Sequence, residues 1–519
     1  MTDIALDEQL PADPREEHIR SVLVVGGGSS GWMAAAYLAT ALSRDVKITL
    51  VESETIGIVG VGEATIPPLK LFNGFLRLDE SEFIRETQGS FKLGIDFHNW
   101  GRIGDRYIHQ FGSVGREIDV VVKLHHWWLA GRLAGEADYP DFEDLFPAKA
   151  IARANRFTLP ERNRRTVLGR FTYAYHFDAY LYGQYLRKIA EGRGVTRVEG
   201  LIAGVERDGE SGHVAAVTLQ DGRQIEADLF IDCSGFRSIL LGAELAEPFD
   251  DWSQWLPNDR AIATTSAREP DKIVPYTRAI AHEVGWQWRI PLQHRIGNGH
   301  VYSSAFSSDE DAEKRLRATL DTPIIRDPFQ LKFKAGRRHR AWVGNVVAIG
   351  LASGFLEPLE STSIHLVQAS IERLVEHFPT RHMDDVLRNR FNEQGRLEWE
   401  RVRDFIIAHY HLTERTDSDF WNHVRTMQVP DSLAAVLELW KERGILGVEG
   451  NHRFQLGSWT SVLIGQRFLP AGLHALADRA DPAYAAKQVR DVVREVEEAA
   501  SKLPQHDEFI ARYCAAPEE

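Results

Sequence analysis

The chain has 519 residues, and 61 Lys and Arg against 75 Asp and Glu leave a net charge of −14. Such a length holds about two to four ordinary domains, or one large enzyme core with elaborations, and 43% hydrophobic residues exclude wholesale disorder. The acidic balance, with no long Lys/Arg run to offset it locally, excludes a nucleic-acid binder, which needs a basic face to displace counterions from phosphates. Cys233 and Cys514 are the two cysteines, too few for a disulfide framework or a multi-cysteine zinc site. A single bridge is one reading; reduced thiols in a cytosolic protein are the expected state. Thirteen tryptophans fit an aromatic-rich interior or a pocket for a flat substrate.

Residues 1–19 are polar and acidic, contain Pro11 and Pro14, and lack the basic and apolar regions of a signal peptide. They read as a loose N-terminal tail of a cytoplasmic protein. The uncharged run from Ser21 to Ser43 is long enough to raise a membrane-helix question, which the glycines at 26–28 and 31 answer against. The run suits a strand, a turn and a helix instead: Ser21–Val25 as a buried parallel strand, then a helix from Trp32 to Leu38. A second strand, from Val46 to Val51, ends at Glu52 and completes a βαβ unit. Farther on, Leu201 to Leu219 has hairpin character around Asp208-Gly209. Asp228–Asp232 and Val343–Ile349 read as further buried strands. From about 364 onward, runs such as Ile371–His377 and Gln488–Ala500 alternate apolar and charged residues at helical spacing.

Gly26-x-Gly28-x-x-Gly31 follows a strand and opens a helix. The first glycine permits the tight turn, the second lets a pyrophosphate approach the backbone, and the third packs helix on strand. Phosphates then meet free N–H groups and the positive end of the helix dipole. Glu52, at the end of the second strand, is placed to accept hydrogen bonds from a ribose and disfavours a 2′-phosphate. The pattern therefore predicts a dinucleotide site without choosing between FAD and NAD.

Five landmarks run in order along most of the chain: Gly-Gly-Gly-x-x-Gly-Trp-Met-Ala-Ala at 26–35, Gly-Val-Gly-Glu-Ala-Thr-Ile-Pro at 60–67, Phe91-Lys92, Trp286-Gln287-Trp288-Arg289-Ile290-Pro291, and Phe355-Leu356-Glu357-Pro358-Leu359-Glu360-Ser361-Thr362. On these the chain resembles the flavin-dependent halogenases of the tryptophan halogenase family. The resemblance implies an α/β fold: an FAD-binding Rossmann-type domain of flavin-monooxygenase kind over 20–370, with strand-rich insertions, and a mainly helical C-terminal substrate domain over 371–519. It implies FAD, delivered as FADH2 by a separate flavin reductase, together with O2 and chloride or bromide. Halide is oxidised to hypohalous acid, which passes inside the protein to a lysine beside an electron-rich arene of indole type, and electrophilic substitution follows. A small aromatic substrate is expected, with no nucleic acid and no membrane as partner; a homodimer is admitted.

By the same resemblance Lys92 is the catalytic lysine, in an apolar setting unlike a surface lysine, with Lys70 as its nearest competitor. An ammonium there polarises hypohalous acid; a neutral amine, which needs a pKa lowered by burial, forms a haloamine; the sequence leaves both routes open. Glu360 is the acid facing the ring, and its plain alternative is a helix-capping residue. Thr362 and Ser363, at that helix start, offer N–H groups to halide. Gly27, Ser30, Ile56, Val59, Val61, Glu63, Ala64, Leu351 and Ile364 join the glycines and Glu52 as cofactor-binding positions. His109, Phe111, Phe454 and Ser361 are the substrate-binding positions. Trp286 and Trp288 are expected to keep the organic substrate from the flavin, though their alternation also fits a plain half-buried strand.

The tyrosine pair that relatives accepting free tryptophan place before the position of Phe454 has no counterpart; Glu442-Arg443 stands there, with Glu449 as the candidate acid. Free tryptophan is therefore disfavoured, and a simple or larger indole, pyrrole or phenol stays open. His409-x-His411 and His125-His126 lack the partners and spacing of a metal site and read as structural, so no metal is expected. Two competing functions share the scaffold: an aromatic hydroxylase, which leaves Lys92 and the tryptophan motif without roles, and a non-catalytic flavin-binding protein.

Overall fold

The computed structural model describes residues 17–56, 62–119, 121–270, 272–447, 454–478 and 480–517. Ser21–Val25 lies inside a six-stranded sheet, in the order Trp342–Val343, Val346–Ala348, Leu229–Asp232, Ser21–Val25, Lys47–Glu52, Thr196–Glu199. All neighbours pair in parallel except the edge strand Trp342–Val343. Side chains alternate across a strand, and both faces here are covered: Val22 and Val24 enter one apolar cluster, Leu23 and Val25 another. This two-sided burial explains why the run is continuously apolar. The helix Ser29–Ala41 packs on Ala179–Gly192 and on Ser363–Glu376, which sets the glycine turn and the Glu360–Ser363 segment close to one another.

Val343–Ile349 is not one strand. Gly344 takes a φ of +54°, and the chain turns there so that Trp342–Val343 folds back antiparallel on Val346–Ala348. The start of the described chain is also more ordered than a loose tail: His18 bridges Thr380, and Ile19 is buried. Residues 1–16 lie outside the described residues.

A seven-stranded sheet forms the second layer, in the order Ile324–Lys332, Arg260–Ala267, Arg295–Tyr302, Trp286–Pro291, Thr277–Ala281, Gly94–His98, Arg106–Gln110. Ser90–Lys92 pairs with Ala174–Phe177, which also receives Glu63–Ala64, so the lysine and the 63–64 segment share one small sheet. From Ser363 on, the described regular elements are helices. They do not bury a core of their own: Trp399, Val402, Phe405 and Ile406 of the helix Asp385–His411 share a cluster with Phe97, Trp100 and Trp286. Likewise Val489 to Val496 pack on Leu124, Trp128 and Phe142. Among the described residues no helix is long and apolar enough to cross a membrane.

Candidate active site

Two cavities have walls close to Lys92. The first, of about 850 Å3, is lined by Gly26, Gly27, Gly28, Ser30, Glu52, Ile56, Glu63, Ala64, Leu351 and Ile364, among others. Gly26 has a φ of +108°, and a Cβ there would lie 2.4 Å from the Cys233 carbonyl oxygen. A Cβ on Gly31 would lie 1.8 Å from the Gly26 oxygen, so Gly31 is a packing residue beneath the turn and not a wall of the cavity. Gly28 has open space where its Cβ would stand. Glu52 reaches over Gly27 and is held by Arg197 Nε at 2.5 Å, with Arg187 at 3.7 Å. An open glycine cradle at a helix start, beside an anchored acid, fits a dinucleotide. Val59 and Val61 lie outside the described residues.

These contacts separate two substitutions. Gly28→Ala is expected to fold with an unchanged melting temperature and lose at least about tenfold in FAD affinity, because the methyl occupies the phosphate approach. Gly31→Ala is expected to lose the fold itself, since the backbone it would strike does not yield. Thermal unfolding together with flavin fluorescence titration distinguishes the two.

Lys92 is fully buried, and its Nζ donates to the Thr65 carbonyl at 2.9 Å and to Ser361 Oγ at 2.7 Å. Burial pulls the ammonium down to about 7 against the opposing pull of Glu360 and Glu63. Burial likewise pushes the Glu63 carboxyl up to about 7, with Lys92 opposing it. Lys70, by contrast, sits 3.5 Å above the Tyr173 ring on a wall of the second cavity.

Glu360 is also fully buried, and it does not cap the following helix. The N-cap of Ser363–Glu376 is Thr362, without a side-chain cap, while Glu360 Oε2 lies 2.8 Å from His109 Nδ1 and Oε1 lies 2.8 Å from His409 Nε2. Burial alone would raise this carboxyl, but His109 and then His409 hold it down to about 2. The chain passes Ser361 at φ +58° and ψ +37° and Thr362 at φ −92° and ψ −7°. Successive left- and right-handed residues make a concave set of N–H groups suited to an anion. Ser363 and Ser361 line the first cavity; Thr362 Oγ1 is buried without a hydrogen-bond partner.

The second cavity, about 1020 Å3, has His109, Phe111, Phe454, Ile66 and Pro67 in its walls. Phe454 stacks on Phe405 with centroids 3.9 Å apart, and Lys92 Nζ is 5.2 Å from the Phe111 ring. Lys92 thus touches a wall of each cavity: Ser361 of the first, Phe111 of the second. Ser361 belongs to the first cavity and to the lysine, not to the wall of the second.

The strand Trp286–Pro291 is buried at all six positions, not half-buried, because a sheet neighbour lies on each side, an apolar cluster takes Trp286, Trp288 and Ile290 on one face, and on the other Gln287 and Arg289 are engaged by Thr319 and by Glu269 and Asp321. Trp288 faces the first cavity, opposite Gly299, whose Cβ would strike its ring at 2.0 Å. Trp286 is anchored differently: its Nε1 donates to Glu357 Oε2 at 2.9 Å, an oxygen that also accepts from Tyr410 at 2.5 Å and Asn258 at 3.0 Å. The motif therefore ties down the segment that carries Glu360. Trp286→Phe is expected to cost about 1–3 kcal/mol, the usual result of removing one partner of a buried carboxylate; urea denaturation against the parent measures it.

Two site residues escaped the sequence. His409 read as structural, since only the long helix brings it to Glu360. Its Nδ1–H donates to Phe405 O at 2.8 Å, which turns Nε2 toward Glu360 Oε1, 2.8 Å away. Glu357 lies inside a recognised motif, but its partners come from three distant segments. Arg443 donates to Leu473 O and is no wall of the second cavity; Glu449 lies outside the described residues. Among the described residues no group of three His, Cys, Asp or Glu is placed to hold a metal ion.

The family profile described as tryptophan halogenase matches residues 21–482. The chain is 36% identical to tryptophan 7-halogenase KtzQ of Kutzneria sp. (strain 744), over 96% of this chain and 99% of that one. Among solved structures it matches Xcc4156, a flavin-dependent halogenase from Xanthomonas campestris, at TM-score 0.93 and 43% identity, over 97% and 100% of the two chains. BrvH, a flavin-dependent halogenase from Brevundimonas sp. BAL3, matches at TM-score 0.92 and 42% identity, over 96% and 100%.

Proposed function

This chain belongs to the tryptophan halogenase family, and we propose that Lys92 and Glu360 carry the halogen-transfer step of its reaction. The protein is a flavin-dependent halogenase, using FADH2, O2 and chloride or bromide to halogenate an electron-rich aromatic. Reduced FAD, when bound in the first cavity, supplies with O2 the two-electron oxidation of halide to hypohalous acid. Gly26, Gly27, Gly28 and Glu52 hold the dinucleotide, and the Thr362 and Ser363 N–H groups hold the halide.

Lys92 stands where hypohalous acid leaves the first cavity for the second. Its ammonium donates a proton to the hypohalous oxygen, the O–X bond breaks, and water departs as halogen bonds to the ring carbon. Glu360, kept ionised by two imidazoles, stabilises the ring cation and takes its proton, which returns to Lys92. The observation that carries this reading is the Lys92–Ser361 contact at 2.7 Å, beside a carboxylate buried against two histidines.

Burial brings Lys92 down to about 7 against the pull of Glu360 and Glu63, so ammonium and amine are both present near neutrality, and the ammonium route proposed here is separated from the amine route by its pH dependence. Turnover should then fall as pH rises through about 7, where Lys92 deprotonates. No acid limb from Glu360 should appear above pH 4, since that group titrates near 2. A pH profile of single-turnover halogenation checks both; a rate rising through neutrality would assign the amine route instead.

The substrate in this reading is an indole-type arene. Tryptophan itself, the substrate named for KtzQ, is disfavoured because no tyrosine lines the second cavity among the described residues. A separate flavin reductase, a cytoplasmic location and a homodimeric assembly belong to the same reading, on the family resemblance. Indole supplied with reductase, NADH, O2 and bromide should give bromoindole by mass spectrometry; oxygenated product without halide would point to a hydroxylase.

A further inference from the structure

The second cavity exceeds what an indole fills. Its volume of about 1020 Å3 stands at the top of the roughly 300–1,000 Å3 range that encloses whole drug-sized ligands. Its inner end is apolar, with Phe111 and Phe454. Its other walls carry five cations, Lys70, Lys123, Arg162, Arg164 and Arg170, against two acids, Glu117 and Glu161, on a chain whose net charge is −14. Local charge is thus inverted where the substrate resides.

The cations are not equivalent. Lys70 is engaged by the Tyr173 ring. Arg170 is half-buried on the segment that bridges Gly112 to Phe171, so it stands beside Phe111 at the arene end. Its Nε is buried without a hydrogen-bond partner. Arg162 and Arg164 lie exposed on the preceding loop, and no described acid forms an ion pair with either. Glu117 already lies in the field of Lys123 and Arg170, which leaves it poorly placed to hold a substrate ammonium. A buried guanidinium N–H is costly to leave unpaired, and its fork matches carboxylate and phosphate oxygens.

We propose that this cavity takes an electron-rich arene bearing an anionic group, a carboxylate or a phosphate, on a side arm, with Arg170 binding the anion and Arg162 and Arg164 drawing it in. The inference rests on the halogenase reading and names its substrate class. Ring and anion then bind in one cavity, the ring against Phe111 and Phe454 and the anion at Arg170 beside it, and the anion fixes which ring carbon faces Lys92.

Steady-state kcat/KM with reductase, NADH, O2 and bromide tests it on 3-methylindole, indole-3-propionate and tryptamine. A second arm compares the pantetheine and phosphopantetheine thioesters of indole-3-propionic acid. In at least one arm the anionic member should exceed its neutral counterpart by about tenfold or more, the size of one charge-assisted hydrogen bond. Tryptamine should fall below 3-methylindole, and the anion preference should shrink as salt rises. A preference confined to the thioester pair assigns a phosphate arm; one confined to indole-3-propionate assigns a small carboxylate. Arg170→Ala and Arg164→Ala should each bring the ratio toward one, with Arg170→Lys retaining part of it. If Arg170→Ala does not fold, Arg164→Ala, on an exposed loop, decides. Equal kcat/KM for anionic and neutral members in both arms, or a ratio untouched in the folded variants, overturns the proposal while leaving the halogenase reading intact. Failure of 3-methylindole and every other arene to be halogenated overturns both.

Discussion

Lys92→Ala should lower halogenation turnover by about a thousandfold or more, within the range of losses for a positioned proton donor, while FAD affinity and melting temperature hold. The size of the effect follows from the setting. The ammonium is fully buried and tied to Thr65 O and Ser361 Oγ, and it touches walls of both cavities, so no other described cation substitutes for it. Lys70 is directed at Tyr173. Single-turnover product analysis by mass spectrometry, paired with flavin titration, makes the check. Retained turnover would remove Lys92 from the mechanism, whereas loss of flavin binding would show a structural role instead. Lys92→Met, which fills the volume without charge, should give the same catalytic loss with a more stable fold at neutral pH. Between pH about 7 and the unfolded value near 10.4, the unfolded chain holds a proton the folded Lys92 has released, so the parent gains stability as pH rises through that window.

The second large effect is at Glu360. Glu360→Gln keeps the shape and removes the charge, and a loss of about a hundred- to a thousandfold in turnover is expected, comparable to deleting one preorganised stabilising group. His409 acts through this carboxylate and is a positioning residue. His409→Leu removes one of the two imidazoles that hold Glu360 near 2, leaving burial less opposed, so the carboxyl rises. The pH profile of the variant should gain an acid limb absent from the parent. A merely structural histidine would change the melting temperature and leave the shape of that profile alone. An unchanged profile in folded His409→Leu would detach His409 from the reaction.

What could be read from the residues alone followed from short range. The glycine turn, its flanking strands and Glu52 lie within one βαβ unit, and each answers to local sterics: positive φ at Gly26, packing at Gly31, open space at Gly28. The family landmarks extended that reading to Lys92 and Glu360, because chemistry fixes residue types in short motifs. The helical character beyond 363 was likewise legible from periodicity. The turn at Gly344 was not, since an apolar run of that length reads equally as one strand or two.

Only tertiary structure decided the rest. The His409-x-His411 pattern does not reveal a partnership with Glu360, since the helix Asp385–His411 brings His409 there only by packing in one apolar cluster with residues of the seven-stranded sheet. Trp286 reads as one more aromatic until Glu357, Tyr410 and Asn258 converge on a single carboxylate oxygen. The inverted charge around the second cavity is invisible in a composition of −14, because its cations come from separate segments of the chain. Local sterics and backbone hydrogen bonding act over a few residues and leave a periodic trace in sequence. Buried charge pairs and cavity walls depend on which distant segments the fold brings within a few ångströms, and a linear order of residues carries no such distance.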